Sequence, residues 1–361
     1  MKRVLITVLF VFQGFWILAQ NQVAENVFLI TLDGLRWQEL FGGADSVIIN
    51  DSRYVRDIEG TKEKYYRSTG SERRQALMPW FWTALAENGL LLGNRWAGNL
   101  VNVTNKEWFS YPGYNEILTG KADPNINSND KIANPNVTVL ELINRQAGFE
   151  QKVAAFGSWD VFPYIINEER SNIYVNAGFE PANHGALTER EIFLNELQAV
   201  TPSPWSSVRL DVFTHYFAKE YIEKNLPRVV YIAYGETDDF AHDGAYDHYL
   251  DAANRTDHFI KDLWDFCQSH PKYQNKTAFI ITTDHGRGDI IKEEWTSHGS
   301  SVEGADAIWV AAIGQGVAPL GEMESKGQWF QNQIAATVLQ LLGLETNLLG
   351  GETGQAINPK E

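Results

Sequence analysis

Apolar and polar positions fall into two kinds of block along this chain. Short, nearly continuous apolar runs occur at Val27–Leu32, Lys152–Phe156, Val229–Tyr234, Ala278–Thr283 and Ala307–Ile313, each followed by Gly, Asp or Ser/Thr. Such runs predict strands buried on both faces of a parallel sheet. Between them, apolar residues recur at helical spacing over Gln75–Gly89, Val137–Gln146, Val208–Asn225, Tyr246–His270 and Trp329–Leu344. Alternating strands and helices predict an α/β protein, a three-layer sandwich with helices on both faces of a mostly parallel central sheet. Ligands of such sheets bind beyond the carboxyl ends of the strands. No clean boundary interrupts the pattern, so residues 21–361 are expected to form a single domain. Asp45–Arg74 is polar and reads as a surface excursion. The stretch 167–204, rich in Asn, Glu and Pro, is a candidate cap insertion over the site.

The first residues break the pattern. Met1-Lys2-Arg3 is basic, Val4 to Ala19 is almost wholly apolar, and Ala19-Gln20-Asn21 follows. This is the layout of a secretory signal peptide over residues 1–20, with cleavage near Ala19 or Gln20. A membrane anchor is the alternative, but the apolar run is short for one. The expected location is therefore periplasmic or secreted, with no transmembrane segment after signal removal.

Composition narrows the chemistry. The 361 residues carry a net charge of −16, with no evident basic patch. That argues against a stable nucleic-acid complex. An acidic chain that handles phosphate esters needs local positive charge, which bound metal supplies. The one cysteine, Cys267, lies in an apolar helical pattern with Phe259, Leu263, Trp264 and Phe266, and is expected in the core. No intramolecular disulfide can form.

Metal-type ligands recur where strands are expected to end. "FLITLDGLRW" places Asp33 after the first strand, and "YIAYGETDDFAHDG" places Asp238 and His242 four residues apart. "FIITTDHGRGD" places Asp284 and His285 after another strand, and "WTSHGS" places His298 in a loop before the last. Taken singly, an Asp after a strand is an ordinary helix cap and a loop His an ordinary solvated side chain. Together they cluster at one sheet edge, and oxygen and nitrogen donors without sulfur suit two hydrolytic divalent ions. Ser110, in "NVTNKEWFSYPGYNEILTG", reads on its own as a helix N-cap.

In chain order, Asp33, Ser110, Asp238, His242, Asp284, His285 and His298 resemble the alkaline phosphatase superfamily. The nearest resemblance is to its nucleotide pyrophosphatase/phosphodiesterase-like branch, and it spans roughly Asn26 to Gly343. "Ser110-Tyr111-Pro112-Gly113-Tyr114" with Leu118-Thr119-Gly120 is similar to that branch's nucleophile segment, and Pro79, Leu85 and Gly89 to the helix before it. The resemblance implies an alkaline phosphatase-like core with insertions and makes Ser110 the nucleophile. It implies one metal at Asp33, Ser110, Asp284 and His285, and a second at Asp238, His242 and His298. The implied ions are two divalent metals, zinc first, with Mn2+ or Mg2+ as alternatives. The implied activity is hydrolysis of a small phosphate ester, with phosphodiesterase or nucleotide pyrophosphatase preferred over phosphomonoesterase.

Departures from the family pattern matter. Sulfatases mature a Cys or Ser within a Cys/Ser-x-Pro-x-Arg signal, and here Tyr114 stands in place of that Arg. The phosphodiesterase branch has Asn and His after the Pro, where this chain has Gly113 and Tyr114. Candidate substrate contacts are Asn127, Asn129 and Lys131 after the nucleophile helix, Arg287 beside the metal pair, and Trp159 beyond a strand end. Rival readings are a phosphomutase of the phosphoglycerate mutase type, a sulfatase-like relative and a catalytically silent relative.

Overall fold

In the computed structural model, residues 23–358 are described; the proposed signal peptide lies outside them. Among the described residues, eleven strands form two sheets. They are β1 (Asn26–Leu32), β2 (Gly89–Leu92), β3 (Asn99–Asn102), β4 (Val153–Gly157), β5 (Tyr174–Ala177) and β6 (Val229–Tyr234), then β7 (Thr277–Thr282), β8 (Ala307–Ile308), β9 (Val310–Gly314), β10 (Gly321–Glu322) and β11 (Gly327–Phe330). The main sheet has the order β10-β2-β9-β7-β1-β6-β4-β5, and β11-β3-β8 forms a small second sheet. In the main sheet β9 pairs antiparallel with both β7 and β2, while the other pairs are parallel.

Alternation along β1 shows the three layers. Phe28, Ile30 and Leu32 join a core shared with Phe217, Ile222, Leu250 and Ile260, from helices Asp211–Asn225 and Tyr246–Ser269. Val27 and Leu29 join the opposite core, with Ile117, Leu118, Leu140 and Val338 from helices Ser110–Thr119, Val139–Asn144 and Ile334–Leu341. Cys267 is buried in the first core, as expected.

Three expectations need correction. The run Ala307–Ile313 is not one parallel strand. It breaks at Trp309, whose indole N–H donates to the Leu35 carbonyl (2.8 Å), so that β8 pairs with β3 and β9 runs antiparallel to β7. An apolar run encodes burial but neither direction nor sheet. Trp329 and Phe330 belong to β11, and the helix proper is Ile334–Leu341. The stretch 167–204 is not an insertion alone. It contributes β5, which closes one edge of the main sheet on β4, before helix Glu189–Val200.

Among the described residues, no helix is long and apolar enough to cross a membrane.

Candidate metal centre

β1, β6 and β7 are neighbours at the middle of the sheet, and their carboxyl ends bring the ligand-type residues together. Asp33 follows β1, with its amide on the Tyr234 carbonyl (2.9 Å). Asp284 and His285 follow β7. Asp238 and His242 share one face of helix Glu236–His242, which begins just past β6. His298 enters from the loop before β8. Gly34 makes the convergence feasible. Its φ is +58°, and a Cβ there would stand 2.8 Å from an Asp238 carboxylate oxygen and 3.2 Å from the His285 ring.

Two groups result, and among the described residues they are the clusters able to hold an ion: Asp33, Asp284 and His285, and Asp238, His285 and His298. In the first, His285 Nε2 lies 3.3 Å from Asp33 Oδ1, 3.4 Å from Asp284 Oδ2 and 3.4 Å from Ser110 Oγ. In the second, Asp238 lies 3.7 Å from His298 Nε2; His242, expected here, is outside that group but adjoins it, its Nε2 3.3 Å from Asp238 and 2.9 Å from His298 Nε2. His285 also stands 3.7 Å from Asp238, so it bridges the groups, and its ring stacks on His298 with centroids 3.9 Å apart.

The donor atoms fit a cation. His285 Nδ1 faces the Gly286 carbonyl (2.9 Å), and a carbonyl only accepts, so Nδ1 carries the proton and Nε2 presents a lone pair. That lone pair faces carboxylate oxygens. Asp33 Oδ1 and Asp284 Oδ2 are buried without a hydrogen-bond partner, a costly state for oxygens unless a cation meets them. Donors bound tetrahedrally at about 2.0–2.2 Å stand about 3.4 Å apart, the spacing found around His285. Electrostatics agree. Burial, then the charge of Asp238, push Asp33 well above the usual carboxylate range, and burial and Asp33 do the same to Asp284. Asp239 is pushed up to about 9 by burial and by Asp238 and Asp33. Burial works against ionised Asp238 too, yet the Arg287 guanidinium holds it well below the usual range. Burial, then His285, take His298 down to about 2, so it is neutral at ordinary pH, as a ligand must be.

Ser110 does not act as the N-cap. Phe109 holds that position and Ser110 is the first helical residue, with its hydroxyl turned to His285. The helix offers few free amides to an anion. Asn129 Oδ1 accepts the Tyr111 amide (3.0 Å), Pro112 has none, and Gly113 already donates to Phe109. The segment's two departures have structural reasons. A Cβ at Gly113 would stand 2.4 Å from the Asp284 carbonyl oxygen, so glycine lets the helix press against the ligand pair. Tyr114 donates to Asp33 Oδ2 (2.7 Å), leaving Oδ1 to face His285.

The substrate-contact candidates separate. Asn129 stands at the helix start beside Ser110, with Asn127 exposed in the same loop. Lys131 is tied to Asp160 (2.7 Å) at the rim. Trp159 packs edge-on to Phe162 and bridges to Val208, as part of the wall. Arg287 does not face the opening. It is buried behind the second group, where its guanidinium binds the Asp238 carboxylate and, at 3.0 Å, its carbonyl. Adjacency to the Asp-His pair in sequence does not tell which side of the sheet edge a side chain takes. Gly34, Gly113 and Tyr114 were not singled out as site residues; the Asp-Gly pair just past an apolar run is the signal that points to Gly34.

Residues 214–346 match the model of the Metalloenzyme superfamily. The solved alkaline phosphatase PafA superposes with a TM-score of 0.58 at 11% identity, over 93% of this chain and 98% of that one. The fold is that of the alkaline phosphatases. The lipoteichoic acid synthase LtaP from Listeria monocytogenes gives 0.56 at 13% identity over 92% of this chain and 75% of its own, and a 2-O GAG sulfatase gives 0.55 at 12% over 92% and 76%. The phosphatase and sulfatase structures thus share with this chain the alkaline phosphatase-like fold that the ligand order led us to expect. A search of curated proteins by sequence finds no match.

Proposed function

We propose that this protein is an exported, two-metal phosphoric-ester hydrolase with Ser110 as nucleophile, and that it prefers diesters or nucleotide-type anhydrides over monoesters. The observation that carries the hydrolase reading is the ring of acceptors around His285 Nε2: Ser110 Oγ, Asp33 Oδ1, Asp284 Oδ2 and, slightly farther, Asp238. Asp33, Asp284, His285 and Ser110 would hold one ion, and Asp238, His242 and His298 the other, zinc being the metal that suits these donors best. Bound there, such ions would lower the pKa of the serine hydroxyl and offset the charge that builds on the phosphoryl oxygens.

The chain supplies the geometry. Ser110 is fixed at the start of a buried helix, with Gly113 against Asp284. Its Oγ attacks phosphorus, the ester alcohol leaves, and a phosphoseryl intermediate forms. Water then attacks phosphorus and returns the serine. Tyr114 keeps Asp33 in one orientation throughout, and Arg287 does the same for Asp238.

The diester preference rests on charge. A monoester dianion needs more positive groups than a diester. The nearby cations Arg287 and Lys131 are both engaged, Arg287 with Asp238 and Lys131 with Asp160. Asn129 beside Ser110 is neutral. Serine is expected to remain unmodified because Tyr114 is committed to Asp33 where a maturation signal would need Arg, which disfavours sulfatase chemistry.

The test is a panel of bis-p-nitrophenyl phosphate, p-nitrophenyl phosphate and p-nitrophenyl sulfate on zinc-loaded protein. The expected order of kcat/KM is diester, then monoester, then sulfate. A faster monoester would overturn the diester preference, and full activity after exhaustive chelation would overturn the two-metal reading.

A further inference from the structure

Trp108 is a bulky residue with φ of +53°, a left-handed conformation that side chains other than glycine, Asn and Asp rarely adopt. It lies two residues before Ser110. Its carbonyl oxygen meets His298 Nδ1 at 3.3 Å. A carbonyl accepts only, so this contact puts the His298 proton on Nδ1 and leaves Nε2 facing Asp238 and His242.

The strained turn is held from the nucleophile helix. Asn105 Oδ1 accepts the amides of Glu107 (3.1 Å) and Trp108 (3.0 Å), and the Trp108 indole N–H donates back to the Asn105 carbonyl (3.1 Å). Asn105 is held in turn by Glu116, which takes its amide (2.8 Å) and its side-chain N–H (2.9 Å). Glu116 also accepts the Thr104 amide and hydroxyl, each at 2.8 Å. Glu116 lies on helix Ser110–Thr119 and is fully buried. One buried carboxylate therefore clamps the loop that both launches Ser110 into its helix and turns the Trp108 carbonyl to His298.

We propose that Asn105 and Trp108 are positioning residues that couple the nucleophile helix to the second metal group, the left-handed Trp108 peptide setting the tautomer and direction of His298. The proposal rests on the two-metal reading above. It gives the strain at Trp108 a use: a relaxed backbone would swing the carbonyl away from His298 while leaving Asp33, Asp284 and His285 untouched.

The experiment is calorimetric titration of Zn2+ into the chelator-stripped full chain, with stoichiometry and affinity read for wild type and four variants, and folding checked by circular dichroism. Wild type should bind two ions. Trp108→Val, whose β-branched side chain resists positive φ, should weaken one of the two by tenfold or more and spare the other. Trp108→Gly, which adopts the same backbone freely, should bind both within about threefold of wild type. Asn105→Ala should behave like the Val variant, and Asn105→Ser, which keeps an acceptor for the two amides, should recover most of the loss. Wild-type affinity for both ions in Trp108→Val and Asn105→Ala would overturn the coupling. Selective loss of one ion in a folded Trp108→Gly protein would overturn it as well, because the ring rather than the peptide direction would then be at work. If wild type itself binds no pair of ions, the hydrolase reading fails first, a result distinct from either of these.

Discussion

Asp33, Asp284 and His285 hang from the ends of β1 and β7 in the middle of the sheet, and water reaches almost none of their surface. Asp238, His242 and His298 sit on a seven-residue helix and a loop, and the His242 side chain is 47% exposed. The two groups also solve the charge problem differently. In the central group, two carboxyls face one another with their pKa values driven up by burial, and no basic side chain pairs with them directly except His285. In the outer group, Arg287 already neutralises Asp238. A cation would therefore relieve more unfavourable charge in the central group than in the outer one. On the two-metal reading, this difference in burial predicts a tightly held inner ion and a more exchangeable outer one.

Substitution of the ligands is the strongest way to break that comparison. His285→Ala removes the one residue that reaches both groups and is expected to lower turnover by about a thousandfold or more, with loss of both ions. His242→Ala, on the exposed side, should cost about 10–100-fold in affinity for one ion and leave the melting temperature nearly unchanged. Zinc stoichiometry and phosphodiester turnover on the same preparations check both. Equal losses from the two variants would show that the groups act as one site and that the distinction drawn from burial is wrong.

A smaller effect is expected where the nucleophile helix meets the central group. Gly113→Ala would place a methyl group 2.4 Å from the Asp284 carbonyl oxygen. The helix must then move, at a cost of about 1–3 kcal/mol as for other overpacked cores, and Ser110 moves with it. Turnover should fall about 10–100-fold while the outer ion binds normally. A variant with wild-type turnover would mean that the helix position is not critical.

The pH dependence sharpens the contrast further. Asp33 and Asp284 are raised in the folded, metal-free state, so between about pH 4 and their folded values the folded chain holds protons that the unfolded chain has released. The contribution of these two carboxyls to the stability of the stripped protein should therefore fall as pH rises above about 4, while His298, lowered to about 2 in the fold, contributes with the opposite sign up to its unfolded value of 6.5 and is constant above it. Asp238 has the opposite sign, but its contribution is complete above its unfolded value near 3.8 and is constant over this window. An ion in the central group makes ionised carboxylates favourable and removes the loss. The gap in Tm between zinc-loaded and chelated protein should widen from pH 5 to pH 8; a constant gap would contradict the assignment of these carboxylates to a metal.

β1, β4, β6 and β7 were read to within a residue because strands buried on both faces are continuous apolar runs. The ligand-type residues stood out because Asp238 and His242 share a helix face at a spacing of four and Asp33, Asp284 and His285 follow strand ends, whereas His298 had only its place in the loop before β8 to mark it. Pairings between distant positions were not legible. Tyr114 meets Asp33 across 81 residues, Arg287 meets Asp238 across 49, and Trp108 meets His298 across 190. Nothing local in the chain announces such contacts, and each of them orients a ligand rather than serving as one. The short strands β2, β3, β5, β10 and β11, two to four residues each, carry too little pattern to stand out.

The smallest expected effect lies at the rim. Lys131 is in the loop that carries Asn129 to the start of the nucleophile helix, so it is close enough in the chain to be drawn to a phosphate. Its ammonium is instead 2.7 Å from Asp160, and its side chain is 48% exposed. An ion pair that open is worth about 0–1 kcal/mol, so Lys131→Ala should shift the melting temperature very little. If the pair holds during turnover, kcat/KM for diester and monoester should change by less than about threefold, and equally. If a dianionic substrate instead draws Lys131 away from Asp160, the variant should lose about tenfold on the monoester alone, because the extra negative charge of the monoester is the part a lysine would meet. The outer side of the site would then hold a cation in reserve, and the diester preference would rest on the competition between Asp160 and the substrate for Lys131. Asp160→Asn decides between the two: freeing Lys131 should raise monoester turnover only in the second case.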